Sequence, residues 1–193
     1  MIVNKDRSGW FGGSDTSYVV GNWQTDSFKK WWLEKLGLRQ NDLNTKAMKC
    51  GNAYEHKILD CIGCRKDYQI IIPELKLRVN YDGDKDGTIY EVKTFKAEKG
   101  FVVTKGYWRQ AQVEMYAMKT EKIFIVAYPL GESEYRNYFM EVDAEKIQFH
   151  SVEYDSEFIE TEYLPKLKYL SHCLEIGKMP TKEEYIWNSQ ENL

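Results

Sequence analysis

Hydrophobic and polar positions along the chain follow two periods. Over residues 47–59, and again over 107–119, apolar residues recur at spacings of three and four, which predicts helices. On the first of these, Met48, Gly51, Glu55, Leu59 and Ile62 share one stripe. Between them, from about Tyr68 to Phe95, the period falls to two and predicts strands, including 77–81 and 88–92 joined across a turn from Gly83 to Gly87. Two further strands follow, one of them 123–128, and then an amphipathic helix from about Glu157 to Ile176 with Pro165 inside it. The N-terminal third reads as helical, with a short helix over 15–20. Helices packed on a central mixed sheet give an α/β architecture. With 193 residues, 42% of them hydrophobic, and no internal repeat or low-complexity linker, the chain is expected to form one globular domain over 1–193.

The period places polar groups where chemistry is possible. Over 88–93 it puts Glu91 and Lys93 on one face of a strand and Tyr90 and Val92 on the other. Asp82, just before the turn, returns near Glu91 once the two strands pair. Two carboxylates beside one amine suit metal-assisted attack on a phosphodiester, although a Glu-x-Lys pair on a strand is also the ordinary form of a solvated ion pair. Glu55 falls on an apolar stripe, where a carboxylate is costly unless it is paired, metal-bound or bent out to water. Gly51, one turn earlier, leaves room for a backbone or a phosphate. Asp82, Asp84, Asp86 and Gly87 also fill the first places of a calcium loop, but the twelfth place needs a bidentate carboxylate and holds Lys93. Gln112 and Tyr116 lie four apart on one face of the later helix.

The order Gly51-x-x-x-Glu55, Asp82-Gly83, Glu91-Val92-Lys93, Gln112-x-x-x-Tyr116 resembles the RecB-like branch of the PD-(D/E)XK nucleases. Arg7-Ser8-Gly9-Trp10-Phe11-Gly12-Gly13-Ser14-Asp15, with Gly21, Trp31, Lys35-Leu36-Gly37 and Ala111-Gln112-Val113, narrows the resemblance to the YqaJ-type viral recombination exonucleases, relatives of the phage lambda exonuclease. It runs from about Arg7 to Leu174. The resemblance implies a restriction-endonuclease-like core and a metal-dependent exonuclease that digests linear double-stranded DNA from its ends, 5′ to 3′, in phage-type recombination. It further implies that Glu55, Asp82, Glu91 and the Val92 carbonyl hold one or two Mg2+ or Mn2+ ions, while Lys93 orients or deprotonates the attacking water. By the same resemblance Gln112 and Tyr116 position substrate, Arg7 and Ser14 contact DNA phosphate, a single-strand annealing recombinase is the partner, and subunits close into a trimeric ring. Glu74 stands where some relatives carry a further acidic residue. Independently of the resemblance, a Gly-Gly-Ser turn opening a short helix offers N–H groups to an anion, although Ser14 also reads as a plain N-cap.

Charge and cysteines refine this picture. The net charge of −3 is unhelpful for DNA binding, but residues 93–109 carry five bases against Glu98 alone, so a basic loop over 96–105 is expected to close on the DNA backbone. Trp10, Trp23, Trp31, Trp32, Tyr107 and Trp108 offer rings for base stacking or for the core. Four cysteines match the number in an iron–sulfur cluster of some RecB-like relatives, but three lie before Asp82 and only Cys173 after it, so reduced thiols are expected, with Cys61 and Cys64 buried. His56, next to Glu55, is a candidate metal neighbour. No stretch has the length of a membrane span and no leader is visible, which suggests a cytoplasmic protein. Two other functions fit the same residues: a repair, restriction or CRISPR-adaptation nuclease, and a DNA-binding or interaction module that keeps the fold without cleavage.

Overall fold

A computed structural model of the chain describes residues 7–40 and 45–191. After a 3-10 turn at Gly13–Asp15 come α1 (Thr16–Val19), α2 (Asp26–Lys35) and α3 (Lys46–Ile62). The strands β1 (Arg65–Ile72), β2 (Leu77–Lys85) and β3 (Thr88–Lys96) follow, then α4 (Lys105–Met118), β4 (Lys122–Leu130), α5 (Glu132–Arg136), β5 (Gln148–Glu153), α6 (Leu164–Glu175) and α7 (Lys182–Glu191). Threonine begins three of the helices: Thr25, Thr45 and Thr104 each accept a hydrogen bond from the backbone N–H three residues on. The sheet order is β1-β2-β3-β4-β5, with β3 and β4 parallel and every other pair antiparallel. The parallel pair needs a crossover, and α4 supplies it.

Helices cover both faces. Ile89, Ile123 and Ile125 pack with Ala111 and Met115 of α4, whereas Val92, Val126 and Tyr128 pack with Cys50, Tyr54 and Ile58 of α3. A third core joins Phe11, Trp23, Trp31 and Trp32 to α6 and to Val113 of α4. Gly83 lets α3 sit close to β2: a Cβ there would fall 2.8 Å from Leu59 and 2.9 Å from the Arg65 carbonyl.

Several expectations change. The helix expected over 15–20 is a 3-10 turn followed by four α-helical residues. On α3 the buried residues are Cys50, Tyr54, Ile58 and Leu59, so the buried stripe is rotated from the expected one and Met48 is exposed. Strand β2 continues past Asp82 to Lys85, and only Asp86 and Gly87, both at positive φ, form the hairpin turn. Asp84 is buried and accepts from Arg65 at 2.6 Å. The helix expected around Pro165 is present and unbroken over 156–175, but its first part, Phe158–Tyr163, is π-wound just ahead of the proline. Cys61, expected inside, is exposed; Cys50 and Cys64 share one core and Cys173 another. Trp23, Trp31 and Trp32 are buried in the third core and Trp108 packs on Phe158, so these rings serve packing. The segment after β3 is largely exposed, with Phe101 stacked on Tyr107, and Lys105 and Gly106 belong to α4. Among the described residues, no helix is long and apolar enough to cross a membrane.

Candidate active site

The site forms where β2 and β3 part. Their ladder covers only Gly83–Lys85 against Thr88–Tyr90. Beyond it, Asp82 takes the place of a strand carbonyl: its Oδ2 accepts from the Val92 N–H at 2.8 Å. A carboxylate in this position satisfies the backbone and holds the strands apart, opening a cleft of about 280 Å³. Arg78, Asn80, Asp82, Glu91, Lys93 and Gln110 line one part of it, and residues from Arg7 through Asp15 much of the rest.

The acidic part is crowded and short of partners. Glu91 is buried and its Oε1 receives Lys93 Nζ at 2.7 Å and Gln110 Nε2 at 2.6 Å, while its Oε2 is buried without a partner. Burial, then the charges of Glu91 and Glu55, push the Asp82 carboxyl well above its ordinary range. Glu55 is raised by burial and by Glu91, and Glu114, fully buried on α4, is raised by the same two causes. For Lys93, burial favours the neutral amine but Glu91 and Asp82 outweigh it, so the group is held as an ammonium. It also lies 5.3 Å over the Tyr107 ring.

Facing the acids is a cationic turn. Phe11 forms a parallel bridge to Leu77, donating to the Lys76 carbonyl at 2.8 Å and accepting from Arg78 N–H at 2.7 Å, which sets Gly12-Gly13-Ser14 beside β2. Asp15 fastens the turn from within: its carboxylate accepts from Gly12 N–H at 2.8 Å, Trp31 Nε1 at 2.8 Å and Lys35 Nζ at 2.5 Å. Burial lowers the Lys35 pKa, Asp15 opposes this, and the nearby Arg7 and Arg78 lower it further. Arg7, on the surface, donates to Ser14 Oγ at 3.3 Å. Ser14 is not an N-cap but the middle of the 3-10 turn.

Sequence reading thus places Arg7, Ser14, Asp82, Glu91 and Lys93 in one cleft, with Glu55 within electrostatic reach of Glu91. Gln112 and Tyr116 lie elsewhere. The Gln112 amide donates to the Glu153 carbonyl at 2.9 Å and accepts from Asp155 N–H at 2.7 Å, tying α4 to the end of β5, and Tyr116 packs against the aromatic core. Two positions along a helix turn a side chain through about 200°, so Gln110 faces the cleft and Gln112 does not. Gln110, Glu114 and Arg78 are the residues the sequence reading missed, and Lys35 entered it only as part of a motif with no role; the same i, i+4 spacing marks Gln110 and Glu114 two residues earlier. Glu74 lies before the start of β2, near Tyr116. His56 is 3.2 Å from Asp67, a non-glycine residue at positive φ, and 3.9 Å from Glu55. Gly51 faces the Thr94 hydroxyl.

The donor set fits a hard divalent cation: carboxylate oxygens, one orphaned at Glu91 Oε2, in a cluster whose carboxyls are raised first by burial and then by one another's charge. Among the described residues no three His, Cys, Asp or Glu side chains already converge as ligands, and Lys93 and Gln110 both bond Glu91 Oε1.

No family profile and no curated protein sequence matches the chain. Solved structures do. An alkaline exonuclease from Laribacter hongkongensis superposes with a TM-score of 0.66 at 17% identity, covering 96% of this chain and 94% of that one. Its complex with dAMP matches equally, with a TM-score of 0.66 at 16% identity. A phage-related exonuclease from Haemophilus somnus 129PT gives 0.61 at 16% identity, over 87% of this chain and 96% of that one. Over nearly its whole length, then, the chain has the fold of the alkaline and phage-related exonucleases, an α/β fold with a five-stranded mixed sheet between helices.

Proposed function

We propose that the protein is a Mg2+- or Mn2+-dependent deoxyribonuclease that digests linear double-stranded DNA from its ends in the 5′ to 3′ direction. The observation that carries this reading is the cleft itself, in which the acids around Asp82 and Glu91 and the ammonium of Lys93 face a turn carrying Arg7 and Ser14. Glu55, Asp82, Glu91 and the Val92 carbonyl are the oxygen donors that would hold the ion. When bound, such an ion would supply Lewis acidity to a phosphoryl oxygen and would lower the pKa of the attacking water. Lys93, 2.7 Å from Glu91, would orient or deprotonate that water and offset charge in the transition state. Asp82, bonded to Val92 N–H, fixes where β3 leaves the ladder and so where Glu91 stands. Arg7 and Ser14 take the terminal phosphate, as a forked guanidinium beside a hydroxyl can. The fold shared with two exonucleases, one solved with dAMP, supports the same reading. Digestion in this direction leaves a 3′ single strand, the substrate of an annealing recombinase.

The test is digestion of linear and of covalently closed duplex with Mg2+, the linear form labelled at either end. Loss of the 5′ label first, with closed circles untouched, is the expected result. Cleavage of closed circles would identify an endonuclease, and no cleavage of either would leave a binding module.

A further inference from the structure

The Gly12-Gly13-Ser14 turn rests directly on α4. A Cβ on Gly13 would stand 3.2 Å from Glu114 Oε1, 3.3 Å from its Cγ and 3.5 Å from Gln110 Cγ, so these two side chains form the floor of the turn with no gap beneath it. The same pair reaches the acids. Gln110 Nε2 donates at 2.7 Å to Glu114 Oε1 and at 2.6 Å to Glu91 Oε1, and Lys93 Nζ approaches Gln110 Oε1 at 3.4 Å. One amide group therefore ties the residue under the turn to the residue that faces the cation. Buried with Glu114 on α4 are the apolar Ala111, Val113, Met115 and Ala117, and Gln112, whose amide is spent on the end of β5. Its Oε2 is buried without a partner, an expense that packing alone does not require. What an apolar residue there would lack is the oxygen that accepts from Gln110.

We propose that Gln110 and Glu114 are positioning residues that join the anion-binding turn to the cation-binding Glu91, so that phosphate contact at Gly12–Ser14 and divalent-cation binding at Glu91 strengthen each other. This rests on the function proposed above. A phosphate seated on the turn fixes Gly13, Gly13 fixes Glu114, and Gln110 carries that constraint to Glu91 Oε1, leaving Oε2 toward the ion. Coupling of this kind is reciprocal: whatever factor the phosphate adds to cation affinity, the cation adds to phosphate affinity. In the complete reaction this would make a phosphorylated end the signal that completes the cation site.

The experiment measures Mn2+ affinity of the full chain by calorimetry, alone and with dAMP, which has no internucleotide bond to cleave; deoxyadenosine is the control. In the wild type, dAMP should tighten Mn2+ by about fivefold or more and deoxyadenosine should not. Direct contact between ion and phosphate would produce the same gain, so the variants decide. Gln110→Ala, at a partly exposed position, and Gly13→Ala, which crowds Glu114, should lose most of the gain while remaining folded by thermal unfolding. Glu114→Leu should lose it and Glu114→Gln, which keeps an accepting oxygen, should restore it. An undiminished gain in Gln110→Ala and Gly13→Ala overturns the proposal. A wild type that digests DNA and binds Mn2+ but shows no gain overturns it too, leaving the nuclease reading intact; a wild type that neither binds Mn2+ nor digests DNA overturns both.

Discussion

The two walls of the cleft solve the problem of buried charge in opposite ways. On the turn side, Lys35 and Asp15 are both nearly inaccessible, yet the pair is closed: Asp15 accepts three donors and Lys35 also donates to the Trp10 carbonyl at 2.9 Å. On the strand side, Glu55, Asp82, Glu91 and Glu114 crowd around the Lys93 ammonium, with His56 also beside Glu55, and two buried oxygens, Glu91 Oε2 and Glu114 Oε2, have no partner. The first wall is finished as it stands and holds the shape of the turn. The second gathers carboxyls that are costly to ionise together and that a divalent cation would favour in their charged form. Stability should therefore depend most on the first wall, and catalysis on the second.

The contrast breaks most visibly at Asp15. Asp15→Ala would leave the Lys35 ammonium buried beside Arg7 and Arg78, and should destabilise the fold by about 3–5 kcal/mol, or roughly 10 °C in a thermal melt. A melt within a degree or two of wild type would show that the turn is not held by this pair. Next in size is the strand side: Lys93→Ala should slow cleavage on the order of a hundredfold or more at saturating Mg2+, with folding and DNA retention kept. Near-normal rates would remove Lys93 from the chemistry. Smaller is Arg7→Ala, which should slow digestion of 5′-phosphorylated duplex by roughly tenfold and of 5′-hydroxyl duplex far less. Equal losses on both would make Arg7 a general backbone contact.

The least effect is a pH dependence of stability. Glu55, Asp82 and Glu114 have folded-state pKa values raised above those of an unfolded carboxylate. Their contribution to stability is thus fully present at acid pH, below the ordinary carboxylate range, and is lost as pH rises through the raised values. In the absence of divalent cations, the strand side should destabilise the fold progressively as pH rises through that window, and Mg2+ should raise the melting temperature more at about pH 8 than at about pH 5, by a few degrees. Glu91→Gln should flatten that difference. An equal Mg2+ effect at both pH values would separate the raised carboxyls from cation binding.

Much of this was legible along the chain because it depends on local period. Alternation over 88–93 places Glu91 and Lys93 on one face whatever surrounds them, and the order of strands and helices already gives an α/β sheet with a crossover after β3. Glycine-rich Gly12-Gly13-Ser14 and the carboxylate Asp82 carry their chemistry in their residue types.

Three matters were settled only by tertiary packing. Which face of α4 meets the cleft depends on how that helix is rotated over Ile89, Ile123 and Ile125, and this brings Gln110 and Glu114 inward while Gln112 is spent on β5. A helix with polar residues at 110, 112 and 114 has no single polar face for the sequence to announce. The cleft itself exists because Asp82 replaces a strand carbonyl at Val92, a hydrogen bond between residues 10 apart in sequence that ends the ladder early. Arg78 and Lys35, ordinary charges on a strand and a helix in the sequence, become part of the cationic wall only because Phe11 pairs with Leu77 and carries the N-terminal turn onto β2. Period and residue type are properties of neighbours in the chain, whereas the sharing of charge across a cleft is a property of distances that only the folded packing sets.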